Sequence, residues 1–147
     1  MIFALHALMG TTPSASWRSN MNHEKIIYKK EGYALQDAIF EVYKILGPGF
    51  LEAVYQEFLE KELALRNIPF RSQVEIRLYY KDIPLSQTYR ADFICFDSII
   101  VELKAVSEVS DIHKAQLLNY LKAAGLKLGL LVNFSFYPKG EIERIVL

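Results

Sequence analysis

Ile99-Ile100-Val101-Glu102-Leu103-Lys104 is the stretch on which the fold turns. Its β-branched residues favour a strand. Side chains on a strand repeat every two residues, so Ile99, Val101 and Leu103 share an apolar face while Glu102 and Lys104 share the other. Charges rarely enter so hydrophobic a segment without partners. The preceding segment, Gln87 to Phe96, also reads as strand and holds Asp92 between Ala91 and Phe93. A short turn at Asp97-Ser98 makes the two strands antiparallel neighbours. Counting back from that turn brings Asp92 to the level of Glu102 and Lys104, so two carboxylates and a lysine meet on one sheet face.

Working outward, Asp111 is placed to cap a helix over Ile112 to Ala124, which Gly125 ends. Leu126 to Phe134 is a near-continuous apolar run that suits a buried strand, and Ile142 to Leu147 adds a short final one. Upstream, Val74, Ile76 and Leu78 alternate with Glu75, Arg77 and Tyr79 as in a strand with one polar face, and Lys81-Asp82 marks the turn after it. Two helices come first. Tyr33 to Leu46 repeats apolar residues at helical spacing, and Gly47-Pro48-Gly49 ends it. Leu51 to Arg66 is the second, with Leu51, Val54, Tyr55, Phe58, Leu59 and Leu65 facing inward and Asn67 and Pro69 stopping it. The pattern is α/β: helices flanking a small mixed sheet.

The 147 residues suit one domain, and 52% hydrophobic with 13% aromatic content supplies a real core. Seventeen basic residues balance seventeen acidic ones, which excludes nucleic-acid binding by bulk charge alone but leaves room for a local site. No apolar run reaches the roughly 18–20 residues of a membrane span. A single cysteine, Cys95, excludes an internal disulfide and reads as a small buried hydrophobe. His6, His23 and His113 are too scattered for a zinc site. Residues 1–20 lack the basic start of a secretion signal; they read as an unstructured or upstream extension, with the domain over 21–147 and a cytoplasmic location.

Asp92 and Glu102 are hard oxygen donors suited to Mg²⁺ or Mn²⁺, which take one or two carboxylates and complete their shell with water and phosphate oxygens. Lys104 can orient an attacking water, act as base or balance charge building on a phosphate. The plain alternative is an ion pair between Glu102 and Lys104 on an edge strand. Gly49, Glu52 and Tyr55 are spaced by three along one helix side, and Glu52 falls where the helix dipole favours an anion. His113, Gln116 and Tyr120 likewise share a helix face; Gln116 sits oddly among Ala115, Leu117 and Leu118, and His113 with Lys114 could touch a phosphate.

Taken in order, Gly49-Phe50-Leu51-Glu52-Ala53-Val54-Tyr55, Tyr89-Arg90-Ala91-Asp92, Val101-Glu102-Leu103-Lys104-Ala105-Val106, His113 to Lys122 and Gly125 to Phe134 resemble the GxxExxY proteins of the PD-(D/E)XK nuclease superfamily. The resemblance implies a restriction-endonuclease-like core. It implies Asp92 and Glu102 as metal ligands, with the backbone carbonyl of Leu103 as a third and Glu52 ligating directly or through water. It implies Lys104 acting on the water or the transition state, and Gln116 and Tyr120 as a Gln-x-x-x-Tyr motif beside the site. Tyr55, His113, Lys114 and Tyr120 stand as candidate nucleic-acid contacts.

The implied function is a Mg²⁺- or Mn²⁺-dependent phosphodiesterase acting on nucleic acid, in the first place DNA. The alternative is a non-catalytic module that keeps the fold to bind nucleic acid or a protein partner. A neutral chain of this size also leaves room for a homodimer or partner that supplies grip.

Overall fold

A computed structural model describes residues 26–135 and 140–147. The expected N-terminal extension over 1–20 lies outside the described residues. Among the described residues, three helices and five strands follow in the order α1 (Lys29–Leu46), α2 (Glu52–Leu65), β1 (Phe70–Tyr80), β2 (Ile83–Cys95), β3 (Ile99–Lys104), α3 (Asp111–Ala124), β4 (Leu128–Asn133) and β5 (Glu141–Val146). The sheet order is β1-β2-β3-β4-β5. All neighbours are antiparallel except β3 and β4, whose parallel pairing is made possible by the crossover through α3. This is an α/β restriction-endonuclease-like core.

The sheet is covered on both faces, which explains why β3 is buried up to Leu103, with Lys104 half-buried, and β4 throughout. On one face, Leu35, Ile39 and Val42 of α1 and Tyr55, Leu59 and Leu63 of α2 pack on Phe93, Val101, Leu103, Leu130 and Val132. On the other, Leu117 and Leu121 of α3 pack on Ile76, Ala91, Ile94, Ile100 and Leu131. Gly129 lets Leu117 sit directly on β4: a Cβ there would lie 2.8 Å from a Leu117 methyl.

Several local expectations need correction. The inward stripe of α2 is Tyr55, Leu59 and Leu63. Leu51 and Leu65 are more than three-quarters exposed and Phe58 is exposed as well, because α2 touches the core along a narrow i, i+4 line. The cap of α3 is Ser110. Its hydroxyl accepts from the His113 amide and its own amide donates to His113 Nδ1, a reciprocal box that leaves Asp111 as the first helical residue. The β2–β3 turn begins one residue early. Phe96 and Asp97 both hold positive φ, so Cys95 pairs with Ile99.

Candidate active site

The ladder between β2 and β3 runs Cys95–Ile99, Ile94–Ile100, Phe93–Val101, and stops. The next pair in register is Asp92 and Glu102, and here side chains take over from the main chain. The Asp92 amide donates to Glu102 Oε1 at 3.0 Å. The Leu103 amide donates to Asp92 Oδ2 at 2.8 Å. Each carboxylate thereby satisfies a backbone donor that the parting strands leave without a partner.

The same level is irregular on the other side of β2. Gln73 has φ 51, and the β1–β2 register passes from Ser72–Phe93 to Val74–Ala91 across it. Phe93 packs with α1 and α2, whereas Ala91, only two residues away, packs with α3. Both strands therefore turn over at Gln73 and Asp92, which places Asp92 at the seam between the two faces. Gln73 Nε2 donates to Asp92 Oδ1 at 3.4 Å, and Gln56 Nε2 donates to the Asp92 carbonyl at 3.2 Å. Gln56 is one helical turn beyond Glu52. Glu52, Ala53, Gln56, Gln73, Asp92 and Leu103 line a cleft of about 320 Å³.

Burial controls the charges. Glu102 is 7% exposed. Desolvation first, and the neighbouring Asp92 charge second, push its carboxyl up to about 7, against the stabilising pull of Tyr89, the Asp92 amide and Lys104. Desolvation raises Asp92 as well, opposed by the Leu103 amide, Gln73 and Lys104. Two carboxyls held above their ordinary range and a lysine that lowers both mark this as the most perturbed cluster on the sheet. The Tyr89 hydroxyl is sealed from water beside Glu102 without a well-formed hydrogen bond. Its ring stacks on Tyr120 of α3, joining that helix to the site.

The structure brings together Asp92, Glu102, Lys104 and the Leu103 backbone, and sets Glu52 across the cleft. Among the described residues no three His, Cys, Asp or Glu side chains gather closely enough to hold a metal ion. Of the oxygen donors suited to a hard divalent cation, Asp92 and Glu102 stand together here, and Glu52 lines the cleft beside Asp92. Gln116 lies on the exposed side of α3, one turn before Tyr120.

Three of the expected contacts have partners within the fold. Tyr55 is fully buried and has no surface for nucleic acid; its hydroxyl donates to the Gly47 carbonyl at 2.5 Å and its ring stacks on Phe134. His113 is engaged in the helix cap. Lys114 pairs with buried Glu143 at 3.4 Å, on the β5 side. Gln56, Gln73 and Tyr89 join the site without having been expected there. Gln56 had a signal, its i, i+4 spacing from Glu52; Gln73 depends on a backbone irregularity that alternation does not reveal.

A carboxylate pair at parting strands with a lysine two residues on agrees with the family comparison: the model of the PD-(D/E)XK nuclease superfamily matches residues 29–145. The chain belongs to the PD-(D/E)XK nuclease superfamily. Nucleases of this superfamily generally use divalent metals, in keeping with the all-oxygen donor set. Searches of curated proteins and of solved structures returned no match. Among the described residues no helix of this superfamily member is long and apolar enough to cross a membrane.

Proposed function

We propose that the protein is a Mg²⁺- or Mn²⁺-dependent phosphodiesterase acting on nucleic acid, with Asp92, Glu102 and the Leu103 carbonyl as the metal-holding set. The observation that carries this reading is the exchange between Asp92 and Glu102 at the end of the β2–β3 ladder, which fixes both carboxylates side by side. Asp92 and Glu102 would hold such a cation, which would supply Lewis acidity toward water and the phosphate. Lys104, next on the Glu102 face, orients the water and meets the negative charge of the transition state. Gln73 and Gln56 hold Asp92 from its carboxylate and carbonyl sides. Glu52 faces the cleft from the first turn of α2, where it orders water or substrate.

We place the chain with the GxxExxY proteins. The three motif positions act separately. Gly49 adopts φ 108, Glu52 lines the cleft, and Tyr55 locks the turn through Gly47. DNA is the first substrate to test, in a bacterial or archaeal type of cytosol. The purified protein cuts a panel of DNA and RNA with Mg²⁺ or Mn²⁺, and Asp92→Ala and Lys104→Ala each lower the rate by about 100-fold or more. Calorimetry shows Mn²⁺ binding that Glu102→Ala removes. Unchanged cutting in both variants refutes the assignment. Metal binding without cutting moves the protein to the non-catalytic reading.

A further inference from the structure

A second pocket opens at the carboxyl ends of β3 and β4. These strands pair in parallel, and the connection from β3 into α3 leaves the sheet there, where open α/β sheets commonly form a ligand crevice. The pocket has a volume of about 450 Å³. Glu108 of that connection, Asp111 and Lys114 of α3, Asn133 at the end of β4, and Glu141 and Glu143 of β5 line it. It shares no lining residue with the cleft beside Asp92.

Glu143 is the residue that packing alone does not explain. Its partner in register, Leu131, packs with Leu117 and Leu121 of α3, so Glu143 stands on the same covered face. It is 2% exposed. Among the described residues neither of its carboxylate oxygens has a hydrogen-bond donor. The Lys114 ammonium forms an ion pair with Oε1 at 3.4 Å and leaves Oε2 bare. A carboxylate so withdrawn from water is costly unless donors reach it. Lys114 is also shared, since the same Nζ lies 3.9 Å from Asp111. A primary ammonium therefore fits between an acid of α3 and an acid of β5.

One ammonium does not answer the charge of this pocket. Four carboxylates line it, and Lys114 is the one lysine or arginine among its described lining residues. Burial first, and then the charges of Glu143 and Glu108, push the Glu141 carboxyl up, so these acids act on one another. Among the described residues no three acids converge as a metal shell requires. Their charge is spread over two walls instead. A flexible chain of spaced ammonium groups, each with three donors, matches such a spread better than a point charge does.

We propose that this pocket binds a linear polyamine, whose ammonium groups reach Glu143 Oε2, Glu141 and Glu108 while Lys114 keeps Glu143 Oε1. Lys104, Asn133 and Glu141 follow one another in register across the sheet, which sets the pocket two strands, or about 10 Å, from Lys104. Binding is measured without divalent metal or nucleic acid, so the proposal stands apart from the nuclease reading.

The experiment is isothermal titration calorimetry of the full chain with spermidine, in metal-free buffer of low ionic strength. Wild type binds one spermidine. N-acetyl-lysine amide, which offers a single ammonium, binds at least about tenfold more weakly. Glu143→Gln keeps the shape of the side chain and weakens spermidine binding by about tenfold or more. Thermal unfolding checks that this variant is folded; if it is not, Glu108→Gln with Glu141→Gln serves instead, with the same loss expected. Asp82→Asn, in the distant β1–β2 turn, binds as wild type does. Absence of binding overturns the proposal, as does unchanged binding in the pocket variants. An equal loss in Asp82→Asn overturns it too, because the uptake is then a general attraction to acidic surface. So does equal affinity for N-acetyl-lysine amide, which makes the pocket a seat for a lysine side chain, and so does displacement of spermidine by equimolar Mg²⁺, which makes it a metal site.

Discussion

The backbone amide of Asp92 donates to the Glu102 carboxylate at 3.0 Å, at the point where their strands cease to pair. This bond and its counterpart from the Leu103 amide to Asp92 orient two acids that would otherwise repel. Holding two buried carboxyls together costs the folded protein stability wherever both are ionised, and that cost can be read out.

Replacing Glu102 with Gln removes the charge and keeps the acceptor for the Asp92 amide. The folded carboxyl titrates at about 7, above its ordinary 4.5, so the contribution of this group to stability is full below 4.5 and is lost as pH rises through 7. In metal-free buffer Glu102→Gln is expected to be more stable than wild type at pH 8, by up to about 3 kcal/mol. The gain disappears near pH 4.5. Urea unfolding at both pH values checks it, and wild type no more sensitive than the variant to raising the pH contradicts it.

Tyr55→Phe keeps the stack on Phe134 and deletes the hydroxyl that holds Gly47. The expected loss is about 1 kcal/mol. Because the turn it braces aims α2 at the cleft, cleavage falls with it. Chemical denaturation and a rate measurement on one preparation test both parts.

Gly129→Ala drives a methyl group to within 3 Å of three Leu117 side-chain atoms. Leu117 is 1% exposed and has nowhere to move without shifting α3. Destabilisation of about 1–3 kcal/mol is expected. A smaller Leu117→Ala side chain introduced together with it should recover part of the loss, which a double-mutant cycle measures.

Cys95 is fully buried, and desolvation pushes its thiol up to about 12. The native protein is expected to be inert to a thiol reagent at pH 8 and to react fully once unfolded in guanidinium. Reaction in the native state at the rate of free cysteine would contradict the burial.

Much of this was legible from residues alone, and unevenly so. The bounds of β3 match the sequence reading because four apolar positions in six, three of them β-branched and preceded by a turn, admit one interpretation. The meeting of Asp92 with Glu102 followed from counting back from that turn, and the early start of the turn at Phe96 shifted the pairing without separating them. The stripe of α2 was harder: Leu51, Phe58 and Leu65 fit a helical repeat as well as Tyr55, Leu59 and Leu63 do, and only the neighbouring α1 and sheet choose between them. Lys114 looked available because its partner, Glu143, lies 29 residues on in another strand. Gln73 was invisible, since its role comes from a positive φ.

Asp92, Glu102, Leu103 and Lys104 all fall within one hairpin of consecutive strands, closed by a turn at Phe96 to Ser98. Their meeting therefore has low contact order: closing a short hairpin costs little loop entropy and takes about 1–10 μs. The parallel docking of β4 must await the whole of α3, a slower and more distant closure. The carboxylate pair is thus encoded in contacts only ten and eleven residues apart, while the long-range sheet that encloses them supplies the burial that perturbs their charges.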